Sequence, residues 1–153
     1  MESLIQAFGL KPHPEGGYYR EVYRSQEKVL SPKNGKPRQA LTHIYYLLQA
    51  GDVSRFHRVS HDEVWNFYAG APLLLHETDG HSVNDIKLGP GQPDYCWVVQ
   101  GGLYQAARST GEYSLVGCSV APGFDFADFN FIQPQSQLDY FIRQHHPQLS
   151  MFL

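Results

Sequence analysis

The stretch FHRVSHDEVWNFYAG, residues 56–70, places His57, His61, Asp62 and Glu63 within one short segment. Imidazoles and carboxylates so close in sequence suit two chemistries, ligation of a divalent metal or transfer of a proton. On a helix, His57 and His61 would share a face and could hold zinc. The neighbours Val59, Val64, Trp65, Phe67 and Tyr68 favour strands instead, and Arg58 follows His57, so no H-E-x-x-H motif is present. Read as strands, His57 and Val59 share one face, while Glu63, Trp65 and Phe67 share another. With Ser60-His61-Asp62 as a turn, His57 and Glu63 meet across a hairpin and His61 sits at its tip. Such a pair is either a buried polar contact with a structural role, or a dyad whose carboxylate orients an imidazole that titrates near neutrality.

The elements that must position this pair are short strands between turn signals, the pattern of an all-β sandwich or barrel. Candidate strands run over 17–23, 41–48, 56–59, 63–68, 73–77, 82–88, 95–99, 104–108 and 113–121, with Asp79-Gly80 marking a hairpin. Short helices are expected at the two ends. Ser3 and Gln6 fit a capping box, and Ser136 caps a segment that carries Asp139 at its third position and closes at Pro147. No repeat or linker divides the chain, so residues 1–153 form a single domain. The segment SQEKVLSPKNGKPRQ carries Lys28, Lys33, Lys36 and Arg38 among Pro and Gly, and reads as a mobile, solvated loop.

Composition excludes several function classes. With 12 basic and 15 acidic residues the formal charge is −3, which lacks the basic footprint of a nucleic-acid binder. No apolar run approaches membrane-spanning length and the N-terminus has no basic, apolar leader, so the expectation is a soluble cytoplasmic protein with no membrane partner. Cys96 and Cys118 form no C-x-x-C spacing and read as two reduced thiols. The aromatic content of 14% suits a pocket with apolar walls and hydroxyl tips.

The spacing Gly51-x5-His57-x-Val59-x3-Glu63-x6-Gly70 resembles the first motif of the cupin superfamily, G-x5-H-x-H-x3-E-x6-G. The blocks HPEGGYYREVYRS, TxIYYLL and SLVGCSVAPGFDF resemble its branch of small single-domain, uncharacterised cupins, so the resemblance runs from about His13 to Phe129. It implies a double-stranded β-helix, a jelly-roll cupin barrel of the epimerase-like type, forming a homodimer with its pocket lined by the motif strands. Metal-binding cupins hold their ion with three histidines and a glutamate. His57 and Glu63 match two of these ligands, whereas Val59 replaces the second histidine. The second motif aligns best with Asp94, Gln100, Gly102, Gln105 and Ser109, which puts Gln105 at the fourth ligand position. No cofactor is therefore expected. A divalent metal, if present, would have only His57, Glu63 and Gln105.

Without a metal, the resemblance in fold to sugar-nucleotide epimerases suggests proton transfer beside a carbonyl, with His57 as base and Glu63 orienting it. Tyr45, Tyr46, Tyr104 and Tyr113 are candidate acids. Trp65, Phe67 and Tyr104 are candidates to stack on a small-molecule ligand. Gln105 could hydrogen-bond a ligand, and strand parity sets Arg108 on the opposite face. The segment HPEGGYYREVYRS either closes the pocket, contributing Glu15 or Arg20, or pairs across a dimer; the dimer is preferred. The expected function is a small-molecule-binding protein acting as a metal-independent isomerase, epimerase or lyase on a carbohydrate-like or carbonyl substrate. The alternatives are a non-catalytic small-ligand binding protein and a metal-dependent enzyme with a degenerate site.

Overall fold

The computed structural model describes residues 2–153. In chain order its elements are α1 (Glu2–Phe8), β1 (Lys11–Pro12), β2 (Tyr18–Arg24), β3 (Lys28–Leu30), β4 (Pro37–Gln39), β5 (Thr42–Gln49), β6 (Ser54–Arg58) and β7 (Asp62–Gly70). They continue as β8 (Leu73–Thr78), β9 (Val83–Leu88), β10 (Cys96–Val99), β11 (Tyr104–Ser109), β12 (Tyr113–Ala121), β13 (Asn130–Phe131) and α2 (Gln137–His145). All nine expected strands are present within two residues of their expected ends. Two antiparallel sheets form the body, one ordered β1-β2-β5-β12-β7-β10 and the other β13-β6-β11-β8-β9. The fold is an all-β jelly-roll of the double-stranded β-helix type, two facing sheets rather than a closed barrel, with a short helix at each end.

Alternation along the strands builds the interior. In β7 the buried positions are Glu63, Trp65 and Phe67, as strand parity requires. Tyr46, Leu48, Trp65, Leu73, Leu75, Leu88 and Val116 fill the main core between the sheets. A second cluster joins Phe56 and Ala106 to Ile142, Leu149 and Phe152, so the C-terminal segment covers the outer face of β6. Burying each such side chain contributes about 1.5–3 kcal/mol. This cover explains why Phe56 and His57, on opposite faces of β6, are both buried.

Ser136 caps α2 as expected, its hydroxyl accepting from the Asp139 N–H at 3.2 Å. Arg143 and His145 lie in the last turn, where the helix dipole favours cations. At the other end, α1 already includes Ser3, which therefore lies inside the first turn rather than at the cap. Among the described residues no helix is long and apolar enough to cross a membrane.

Two expectations are corrected. First, β6 and β7 do not form a hairpin. β6 pairs with β11 and β13, whereas β7 pairs with β12 and β10 in the opposite sheet. The nine-residue β7 finds an equally long partner in β12, and residues 59–61 carry the chain between sheets. His61 is therefore not at a turn tip but 3% exposed. Second, the basic segment is a small β3–β4 hairpin tied to the body. Lys28, Lys33 and Lys36 are exposed as expected. Arg38 instead forks onto Asp128, with Nε and Nη2 each 2.8 Å from a carboxylate oxygen. Ser31 is buried against His61 at 2.6 Å.

Candidate functional site

A cavity of about 270 Å³ opens between the two sheets. Its polar floor consists of His13, Glu15, His57 and Glu63, and its apolar walls include Ile44, Val59, Val120, Phe124 and Phe129. Glu21 and Arg24 also line it, joined in a bidentate pair with both distances 2.8 Å.

The N-terminal segment reaches the floor because of two glycines. Gly16 and Gly17 have φ of 111° and 69°, which a side chain would strain. A Cβ on Gly16 would stand 1.9 Å from the Val53 carbonyl oxygen, and one on Gly17 would stand 2.6 Å from that of Leu47. Only glycine lets this segment lie so close to the chain on either side of it. Its position is locked by the Arg55 N–H donating to the Glu15 carbonyl at 2.8 Å and by the Tyr46 hydroxyl donating to the Gly16 carbonyl at 2.7 Å. Glu15 then points inward, while Arg20 stays exposed with its guanidinium over the Tyr45 ring.

The carboxylate that His57 meets is Glu15, with Nε2 2.9 Å from Oε2. Nδ1 of His57 lies 2.7 Å from the Arg55 carbonyl, which can only accept. Each ring nitrogen therefore has an acceptor within hydrogen-bond reach, as an imidazolium requires, and the Gln105 amide nitrogen lies farther off, 3.3 Å from Nε2. Burial opposes the charge, but attraction to Glu15 and the hydrogen bond to it prevail and lift the His57 pKa to about 9. For Glu15, burial is likewise outweighed by His57, and its pKa falls to about 2, with Ser54 donating to Oε1 at 2.9 Å. Phe129 stacks on His57 with centroids 5.2 Å apart and an interplanar angle of 18°.

Glu63 behaves differently. Burial pushes its pKa up to about 7, and the Glu15 charge adds to this, while His57 and a Gln105 hydrogen bond act against it. Gln105 donates through Nε2 to Glu63 Oε2. The amide is oriented by Trp65, whose indole N–H donates to Gln105 Oε1 at 2.8 Å. The described residues supply no hydrogen bond to Glu63 Oε1. Among the described residues no sealed side-chain polar atom lacks a partner, so this oxygen is open to the cavity.

The structure thus brings His57, Glu63 and Gln105 together and adds Glu15 and His13. Trp65 is 1% exposed and Phe67 is 9% exposed; both belong to the core and neither lines the cavity. Trp65 acts on the site only through Gln105. Tyr104 packs on the second core cluster beneath the Arg58 guanidinium, also away from the cavity. Tyr45 and Tyr113 lie elsewhere too, Tyr46 packs behind His13 with its hydroxyl donating to the Gly16 carbonyl, and the tyrosine in the wall is Tyr19. Arg108 turns away from Gln105 and donates to the Ser109 carbonyl at 3.3 Å. Sequence reasoning missed His13 and the aromatic strap of Phe124, Phe126 and Phe129. The one signal for the strap was FDFADFNF, four phenylalanines within eight residues. Cys118 lines the cavity as a neutral thiol, since burial pushes its pKa well up.

This donor set does not fit a transition metal. Both His57 nitrogens are engaged, Val59 has no ligating atom, and Gln105 turns its nitrogen rather than its oxygen toward Glu63. Among the described residues no cluster of three or more His, Cys, Asp or Glu side chains is arranged to hold a metal ion.

Residues 2–132 match the family described as Cupin superfamily (DUF985). An uncharacterized protein of Saccharomyces cerevisiae is 30% identical over 162 residues, which cover 93% of this chain and 80% of that protein. Of the solved structures, a hypothetical protein from Leishmania major superimposes with a TM-score of 0.81 at 33% identity, covering 97% of this chain and 93% of that one. A Shewanella oneidensis protein gives 0.80 at 32% identity, covering 98% and 92%.

Proposed function

Since this chain belongs to the cupin superfamily, in the branch described as DUF985, we propose that its cavity binds a small uncharged carbonyl or carbohydrate-like molecule and isomerises it by metal-independent proton transfer. The observation that carries this reading is Glu63, a buried carboxyl with one oxygen held by Gln105 and the other open to an apolar-walled cavity. A carboxyl whose pKa is near 7 exchanges protons readily at neutral pH. Glu15, only one imidazole away, stays ionised, so two carboxylates are tuned to different tasks by their surroundings.

The roles differ from the sequence expectation. His57 stays protonated and both its N–H groups are engaged, so it is a fixed cation beside Glu63 rather than the base. Glu63 removes a proton from the carbon next to a carbonyl. The electron pair moves onto the carbonyl oxygen, giving an enol or enolate, and Glu63 returns the proton to the same carbon. Where that carbon carries a hydroxyl, the intermediate is an enediolate, and return of the proton to the neighbouring carbon with loss of the hydroxyl proton to the former carbonyl oxygen completes the isomerisation. No redox partner is needed. The cations at the cavity are already matched, His57 by Glu15 and Arg24 by Glu21, which favours an uncharged ligand over an anionic one.

The test is incubation with neutral hydroxyketones and hydroxyaldehydes in D2O, followed by NMR. Deuterium should enter at the carbon next to the carbonyl with wild type and be lost with Glu63→Gln. Ligand binding that Glu63→Gln leaves unchanged, with no deuterium incorporated by wild type across the panel, would favour a non-catalytic binding protein.

A further inference from the structure

We propose that His13 is the hydrogen-bond donor to the ligand's carbonyl oxygen, acting as a neutral imidazole that presents Nε2–H to the cavity. The inference deepens the proton-transfer reading of Glu63 and rests on it. His13 precedes the two glycines and its side chain is only 6% exposed. The backbone N–H of Glu15 donates to its Nδ1 at 3.1 Å. A proton on that nitrogen would set two donors face to face, so Nδ1 carries the lone pair and the hydrogen resides on Nε2.

Among the described residues Nε2 has no partner and no sealed side-chain polar atom is unpartnered, so this N–H opens toward the cavity that the ring lines. Edge contacts with Tyr19, at a centroid distance of 4.5 Å, and Tyr46, at 5.6 Å, fix the ring plane. Burial lowers the His13 pKa; Glu15 opposes this and the nearby His57 cation adds to it. The ring is thereby kept neutral.

This donor supplies what the rest of the floor lacks. The N–H groups of His57 face Glu15 and Arg55, leaving neither for a ligand. A neutral donor aimed where negative charge develops stabilises an enolate oxygen and does not attract a carboxylate as a cation would. His13 thus selects an uncharged acceptor oxygen, with Glu63 across the floor to act on the adjacent carbon.

The experiment uses ¹⁵N-labelled protein at pH 7 and hydroxyacetone as probe. Without probe, long-range ¹H–¹⁵N correlation should show His13 as the Nε2–H tautomer, its signals assigned by their loss in His13→Gln. Addition of hydroxyacetone should shift Nε2 of His13. His13→Gln keeps an N–H near the Nε2 position and should retain probe affinity within about threefold. His13→Asn keeps only the acceptor for the Glu15 N–H and should weaken binding about tenfold. Thermal unfolding of both variants identifies any loss that merely reflects folding.

An Nδ1–H tautomer or an imidazolium in the free protein overturns the proposal. So does a probe-induced response at Glu63 with none at His13, or His13→Asn binding as tightly as wild type. Silence at His13, His57 and Glu63 together overturns the ligand class and this role with it. A His13 response without deuterium incorporation supports the donor role and overturns only the turnover.

Discussion

His57 and His61 lie four residues apart, each buried near a carboxylate, and they end in opposite electrical states. At His57 the Glu15 carboxylate is 2.9 Å from Nε2 and has no arginine competing for it, so the imidazole is charged. At His61 the nearest carboxylate, Asp128, is 3.8 Å away and already held by the Arg38 fork. Burial then dominates, helped by Arg38 and Lys33 against Asp128, and the His61 pKa falls. The two clusters also differ in what they leave open. Around His61 the polar groups bond one another and join the β3–β4 hairpin to the segment carrying Phe124 and Phe129. Around His57 an oxygen of Glu63 and a nitrogen of His13 face the cavity. Residue type and burial do not distinguish the two clusters; the unpartnered atoms do.

The sharpest way to break this contrast is Glu15→Gln. It strands the His57 charge, and stability measured by urea unfolding at pH 7 should fall by about 3–5 kcal/mol. His57 should then titrate well below its present value of about 9. Unchanged stability with His57 still charged would mean that Glu15 is not its counter-ion.

A slightly smaller effect is expected from pH. The folded pKa of His57, about 9, lies above the ordinary value of 6.5, so its contribution is complete below pH 6.5 and is lost as pH rises through 9. Wild type should lose about 3 kcal/mol across that window. His57→Gln should lack this slope, whereas His61→Gln should keep it. The raised pKa of Glu63 acts separately, its folded-state proton favouring the native state less and less between pH 4.5 and 7.

Trp65→Phe probes the site from behind. It leaves the buried Gln105 oxygen without its donor, at about 1–3 kcal/mol of stability. The freed amide can turn its oxygen toward Glu63, so the Glu63 titration, followed by ¹³C NMR, should move upward. The smallest effect belongs to His61→Gln, about 1 kcal/mol from a weakened contact with Ser31. The Glu63 titration should stay where it is; a shift would show that the two clusters are coupled and the contrast too simple.

Much of the frame was legible from residues. Strand parity set Glu63, Trp65 and Phe67 on one face, and the cupin spacing singled out His57, Glu63 and Gln105, which do converge. The hairpin between β6 and β7 was misjudged because SerHisAsp looks like a turn, while the chain there crosses between sheets and buries His61. Trp65 and Phe67 were assigned to the ligand because an inward face was equated with the cavity, yet part of that face is core. The candidate acids fall outside the cavity lining for a related reason. Four tyrosines lie on or near candidate strands, and parity alone does not say how far along a strand the cavity extends.

The strand pattern, the inward residues and the loss of a ligating side chain at Val59 can be read from residues alone, because they depend on local alternation and residue chemistry. That Glu15 meets His57, that Arg38 occupies Asp128, and that Trp65 turns the Gln105 amide nitrogen toward Glu63 emerges with the folded chain. Each of these contacts joins residues 40 or more positions apart. Charge state and hydrogen-bond direction follow from such non-local partners, and it is these that make a tunable carboxyl out of Glu63 and a fixed cation out of His57.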